Sequence, residues 1–100
     1  MEFDGFDWDQ GNWPKCGKHG VSKGEIEAVF TQVNVLVFRD RSHSGDEDRY
    51  LAFTPNAAPR QGVLIGFTER VRDGLRYIRP VTARYMHAKE VSRYEHTKDR

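Results

Sequence analysis

The stretch Arg41-Ser42-His43-Ser44-Gly45-Asp46-Glu47-Asp48-Arg49 gathers a histidine, adjacent acids and an arginine at each end. That set can cleave a phosphodiester that has a neighbouring hydroxyl. One group takes the proton of the attacking hydroxyl, and another protonates the leaving oxygen. Cations hold the charge that builds on the phosphate oxygens. Histidine titrates near neutrality and serves in either proton role. The plain alternative is a solvated hairpin loop in which Glu47 and Arg49 form a cross-strand ion pair worth ~0.2–1 kcal/mol.

A second polar cluster, Lys15, Lys18 and His19, closes a stretch that reads as a helix. Cations there are favourable to the helix dipole, so capping accounts for them as well as chemistry does. His19, His43, His87 and His96 form no i, i+4 pair, and Cys16 belongs to no CxxC. A zinc site needs three or four converging ligands, so neither a metal nor another cofactor is expected. No phosphate-cradling glycine loop or nucleophile elbow is present.

The net charge of +1 conceals a polarity. Residues 1–32 carry −3, residues 33–69 carry −1 and residues 70–100 carry +5. The basic segment interleaves Arg70, Arg79 and Arg84 with Tyr77, Tyr85 and Tyr94. Guanidinium forks fit phosphates and tyrosines stack on bases, so this segment suits a nucleic acid.

The elements that must position these groups follow from pattern. Phe3–Trp8 alternates as a short strand. Asp9 is a fitting N-cap for a helix to Lys18 or His19, closed by Gly20, although Gly11, Pro14 and Gly17 weaken it. Ser22 and Glu25 form a capping box before a helix with Ile26, Val29 and Phe30 on one stripe. Strands are expected at Val33–Arg39, Arg49–Thr54, Val63–Phe67 and Leu75–Val81, the last two joined by a turn at Asp73-Gly74. Pro80 belongs at an edge or strand end. Thr82 reads as the N-cap of a final helix from Ala83 to about His96, with His87 and Glu90 on its inward side. The order β-α-α-β-β-β-β-α is α+β, with helices packed on an antiparallel sheet.

One domain over residues 1–100 suits this length. Leu, Ile, Val and Phe together supply 22 residues, and mean hydropathy is −0.79. A core this small gains from a partner. No apolar run approaches the ~18 residues of a membrane span. The acidic opening, Met1 to Asp9, lacks the features of a secretory signal. A single cysteine excludes an intrachain disulfide and suits a reducing compartment, hence the cytoplasm.

Read together, these motifs resemble the BrnT family, ribonuclease toxins of type II toxin–antitoxin pairs. Phe6-Asp7-Trp8-Asp9, Lys15 and Lys18-His19-Gly20-Val21-Ser22 look like its opening. His43-Ser44-x-x-Glu47-Asp48-Arg49 resembles its central element, and Thr68-Glu69-Arg70 and Ile78-Arg79-Pro80-Val81-Thr82-Ala83-Arg84 its later strands and last helix. Tyr85-Met86-His87-Ala88-Lys89-Glu90 looks like one branch of the family. The resemblance implies a fold like that of the RelE-type microbial ribonucleases and metal-free RNA cleavage that inhibits translation. It also implies a cognate BrnA-like antitoxin that contacts operator DNA, with a homodimer inside the complex left open. On that reading His19, His43, Glu47, Arg49 and Arg70 are the catalytic candidates, and Lys18, Arg79 and Arg84 bind phosphate. Two alternatives stand beside it: a non-catalytic protein-binding subunit of a repressor complex, and a metal-dependent hydrolase.

Overall fold

The computed structural model describes residues 1–42, 45, 47–54, 62–87 and 90. Five strands form one sheet: β1 (Gly5–Phe6), β2 (Leu36–Arg39), β3 (Tyr50–Phe53), β4 (Val63–Arg72) and β5 (Leu75–Tyr85), in the order β1-β5-β4-β3-β2. The pairs β2–β3, β3–β4 and β4–β5 are antiparallel, as the chain's short loops require. β1 joins the far edge parallel to β5, so the sheet is mixed.

The capping box forms as the spacing dictates. Ser22 Oγ accepts from the Glu25 N–H at 3.1 Å, and the Ser22 N–H donates to Glu25 Oε1 at 3.1 Å. It starts α1 (Lys23–Thr31), which buries Ile26, Val29 and Phe30. The long β4–β5 hairpin turns on two residues in left-handed conformation, Asp73 (φ 54°) and Gly74 (φ 78°). That is the turn whose twist matches the strands it joins.

Two expected helices are corrected. Residues Gln10–Pro14 form turns, and only Lys15–Gly17 winds as a short 3-10 helix. Asp9 spends its side chain on the Gly11 N–H (2.7 Å) while Asn12 Oδ1 takes the Asp9 N–H (2.8 Å). These local bonds compete with a helical ladder. The expected final helix does not begin at Thr82 either. Thr82, Ala83, Arg84 and Tyr85 continue β5, opposite Gly66, Ile65, Leu64 and Val63. The helical hydrogen-bond pattern starts later. The His87 N–H donates to Glu90 Oε1 (3.1 Å), the Glu90 N–H donates to the His87 carbonyl (2.9 Å), and Glu90 is helical. The remainder of that expected helix lies outside the described residues. Pro80 sits inside β5 but past the last residue paired with β1, where β5 is locally the edge of the sheet, and it lies where the β4–β5 register shifts. A bulge excuses its missing N–H.

Strand alternation divides the apolar residues between the two faces. Ala52, Ile65, Phe67, Ile78 and Ala83 join Ile26, Val29 and Phe30 in the main core, on the α1 side. Phe53, Leu64 and Met86 form a smaller cluster with Leu36, Phe38 and Leu51 on the other side. Aromatic edges knit the main core: the Phe30 ring stands 5.0 Å from Phe67 and 5.8 Å from Phe6.

Candidate functional site

The face turned away from α1 carries the arginines. Arg70 pairs with Tyr77 and Thr68 with Arg79 across the β4–β5 ladder, in register with each other and out of phase with buried Ile78. Gly66 faces Thr82 and Leu64 faces Arg84 on the same side. Arg49, just before β3, reaches across to Gly66: a Cβ there would lie 2.9 Å from Arg49 Nη2. The sheet therefore brings Arg49, Arg70, Arg79 and Arg84 onto one face, although they are scattered over 36 positions of sequence.

Each of these arginines meets a carboxylate. Arg70 Nη1 bonds Glu47 from the β2–β3 loop and also donates to Thr68 Oγ1 at 3.1 Å. Arg49 Nε stands 3.6 Å from Asp40, whose side chain is 8% exposed. Glu47 and Arg49, the pair that a plain hairpin would join, thus go to different partners. Arg84 grips Glu90 in a two-pronged pair, 2.7 Å at each prong. These bonds from Arg84 hold the Glu90 carboxyl down at about 2, against the opposing pull of burial.

Arg79 is placed differently. It donates to Asp7 (3.2 Å) and to both oxygens of Asp9 (3.0 Å each), and is 14% exposed. The hydrogen bond with Asp9 lifts the Arg79 pKa above its usual value and lowers that of Asp9. Arg79 therefore ties the N-terminal segment to β5, with Arg72 as a second cation on Asp7 (3.2 Å).

The remaining candidates separate. Lys18 and His19 are exposed, in a loop between Cys16 and Val21, both buried in the α1-side core. His43 lies outside the described residues. Of the tyrosines proposed to stack, Tyr77 shares the arginine face. Tyr85 turns to α1, where its hydroxyl donates to Glu25 at 2.7 Å. Tyr94 lies outside the described residues. Sequence reasoning passed over Asp40 and Thr68, both buried polar residues on this face. Asp40 follows β2 directly and Thr68 alternates with core residues, the one signal that could have marked them.

A sheet covered by a helix on one side and lined with arginine–carboxylate pairs on the other defines a small α+β domain with a polar working face. The chain belongs to the BrnT ribonuclease toxins of type II toxin–antitoxin systems: the model of that family matches residues 8–90. No curated protein matches the chain significantly. A ribonuclease toxin of this kind has RNA as substrate and a cognate antitoxin as partner. No helix among the described residues is long and apolar enough to cross a membrane.

Proposed function

We propose that the chain is a metal-independent endoribonuclease that inhibits translation in the cytoplasm, working from the arginine face of its sheet. The observation that carries this reading is the junction of Glu47 with Arg70, flanked on that face by Arg49 and Arg84. A carboxylate beside a guanidinium fork supplies two of the functions that RNA cleavage needs. Glu47 takes the proton of the 2′-hydroxyl, or orients the histidine that does. The 2′-oxygen attacks phosphorus, and the bond to the 5′-oxygen breaks to leave a 2′,3′-cyclic phosphate. Arg70, aligned by Thr68, hydrogen-bonds the non-bridging oxygens as their charge rises. His43, four residues before Glu47 in the sequence, is the choice for protonating the 5′-oxygen, with His19 as the second histidine for proton transfer and Lys18 as a phosphate contact. Phosphate enters by taking the place of exposed carboxylates, whose ion pairs are weak enough to yield. A BrnA-like antitoxin supplies the operator contacts, and covering this face is the simplest way for it to silence the enzyme.

The test is cleavage of RNA by purified chain in excess EDTA, with Glu47→Gln, Arg70→Ala and His43→Ala beside the wild type. Each substitution should slow cleavage at least tenfold, about 1.4 kcal/mol in the barrier, with melting temperature little changed. Cleavage that appears only after Mg²⁺ is restored would remove the metal-free claim. Unchanged rates in all three variants would remove the site.

A further inference from the structure

Beside the Glu47–Arg70 pair the same face holds a cavity of about 220 Å³, lined by Asp40, Arg49, Leu51, Leu64, Thr82 and Arg84 around Gly66. We propose that this cavity is a nucleobase pocket that selects guanine in single-stranded RNA. This deepens the ribonuclease reading and rests on it for the class of substrate.

The charges in the wall argue for a base over a phosphate. Asp40 and Arg49 stand 3.6 Å apart with their side chains 8% and 25% exposed, and Arg84 is matched by Glu90. A phosphate entering here would meet a carboxylate and cations that are already matched. A neutral ring with donors and acceptors along one edge meets both ends of the Asp40–Arg49 pair. Leu51 and Leu64 give it apolar surface. The missing side chain at Gly66 lets Thr82 and Arg49 close onto the floor: a Cβ would stand 2.8 Å from Thr82 Cγ2 and 2.9 Å from Arg49 Nη2, and would push the Arg49 guanidinium out of place.

Guanine fits this polarity best. Its N1–H and 2-amino group donate side by side, enough for both oxygens of a carboxylate. Its O6 and N7, next along the edge, accept from a guanidinium, the commonest specific arginine contact with a base. Cytosine offers a carboxylate one amino group only. Adenine turns the N1 acceptor toward it, and uracil has a single N–H between two carbonyls. Bases splayed from a single strand expose these edges to protein. A buried polar group left unpaired by the wrong base is what makes such a site discriminate.

The experiment measures binding by fluorescence anisotropy, using short 2′-O-methyl oligouridines that differ at one central base. Methylation blocks the attacking hydroxyl, so affinity is read without cleavage. Wild-type protein should bind the guanine oligomer at least tenfold more tightly than the adenine, cytosine or all-uridine ones. Inosine, which lacks the 2-amino group, should fall between. Asp40→Asn, and independently Gly66→Ala, should bring the guanine-to-adenine ratio to within about twofold. Equal affinity for all bases, a preference for cytosine, or a ratio unchanged in both variants would overturn the pocket. Unmodified oligomers run in parallel separate the two readings. Cleavage without base preference counts against the pocket alone. Guanine preference without cleavage of any unmodified RNA counts against catalysis alone.

Discussion

Glu90 shows how one contact sets an acid response. Its carboxyl is held at about 2 by Arg84, against 4.5 as the ordinary value. A depressed carboxylate stabilises the fold fully above the unfolded value and loses that contribution as pH falls toward the folded one. The Arg84–Glu90 pair should therefore support the protein undiminished above about pH 4.5 and fade between there and about 2. Denaturation midpoints of wild type and Glu90→Gln, taken at steps of pH, should differ constantly above pH 5 and converge below 4. A gap that does not change with pH would refute the assignment. Cys16 makes a simpler case. Burial pushes its thiol up to about 11, so little thiolate exists at pH 8. A thiol reagent should modify it slowly in the folded protein and at once in denaturant.

At the level of elements, the two edges of the fold are secured by different physics. α1 starts on the Ser22–Glu25 box, and Ser22→Ala should cost about 1 kcal/mol of unfolding free energy by removing one acceptor from the helix N-terminus. β1 pairs with β5 over two residues only, and the packing of Phe6 on Phe30 is joined by charge. Buried Asp7 faces Arg79 and Arg72, and the Arg76 N–H donates to Asp4 Oδ2 at 2.7 Å. Arg79 keeps Asp9 when Asp7 is removed, so Asp7→Ala should destabilise by about 1–2 kcal/mol, the loss of charge-assisted hydrogen bonds without a stranded cation. The Asp7 amide, bonded to the Ile78 carbonyl at 2.8 Å, should lose exchange protection in that variant. Protection kept at the wild-type level would mean that backbone pairing alone holds β1.

At the scale of the whole molecule, the small apolar supply is divided between two faces of one sheet, and among the described residues the α1 side holds the larger cluster. Val33, Val37, Val71 and Leu75 remain exposed. An antitoxin that binds the folded toxin adds stability by mass action. The melting temperature of the complex should exceed that of the toxin and rise with antitoxin concentration. Equal values for free and bound toxin would show that the partner contributes nothing to folding.

Local chemistry was legible in the sequence by itself. Ser22 with Glu25 specified a helix start, Asp73-Gly74 a hairpin, and the alternation of Val63, Ile65 and Phe67 a strand, because each signal is complete within a few residues. The family too could be read from short motifs in order. The tertiary structure decided what depends on partners distant in sequence. Thr82 has the chemistry of an N-cap, yet pairing with Gly66 keeps it in β5. Asp9 and Asn12 turn the first expected helix into local loops. Glu47, Arg49, Arg70 and Arg84 are candidates one at a time in the chain. Only the pairing of β3, β4 and β5 puts them on one face, and only the lack of a side chain at Gly66 lets Arg49 and Thr82 close in to wall its pocket.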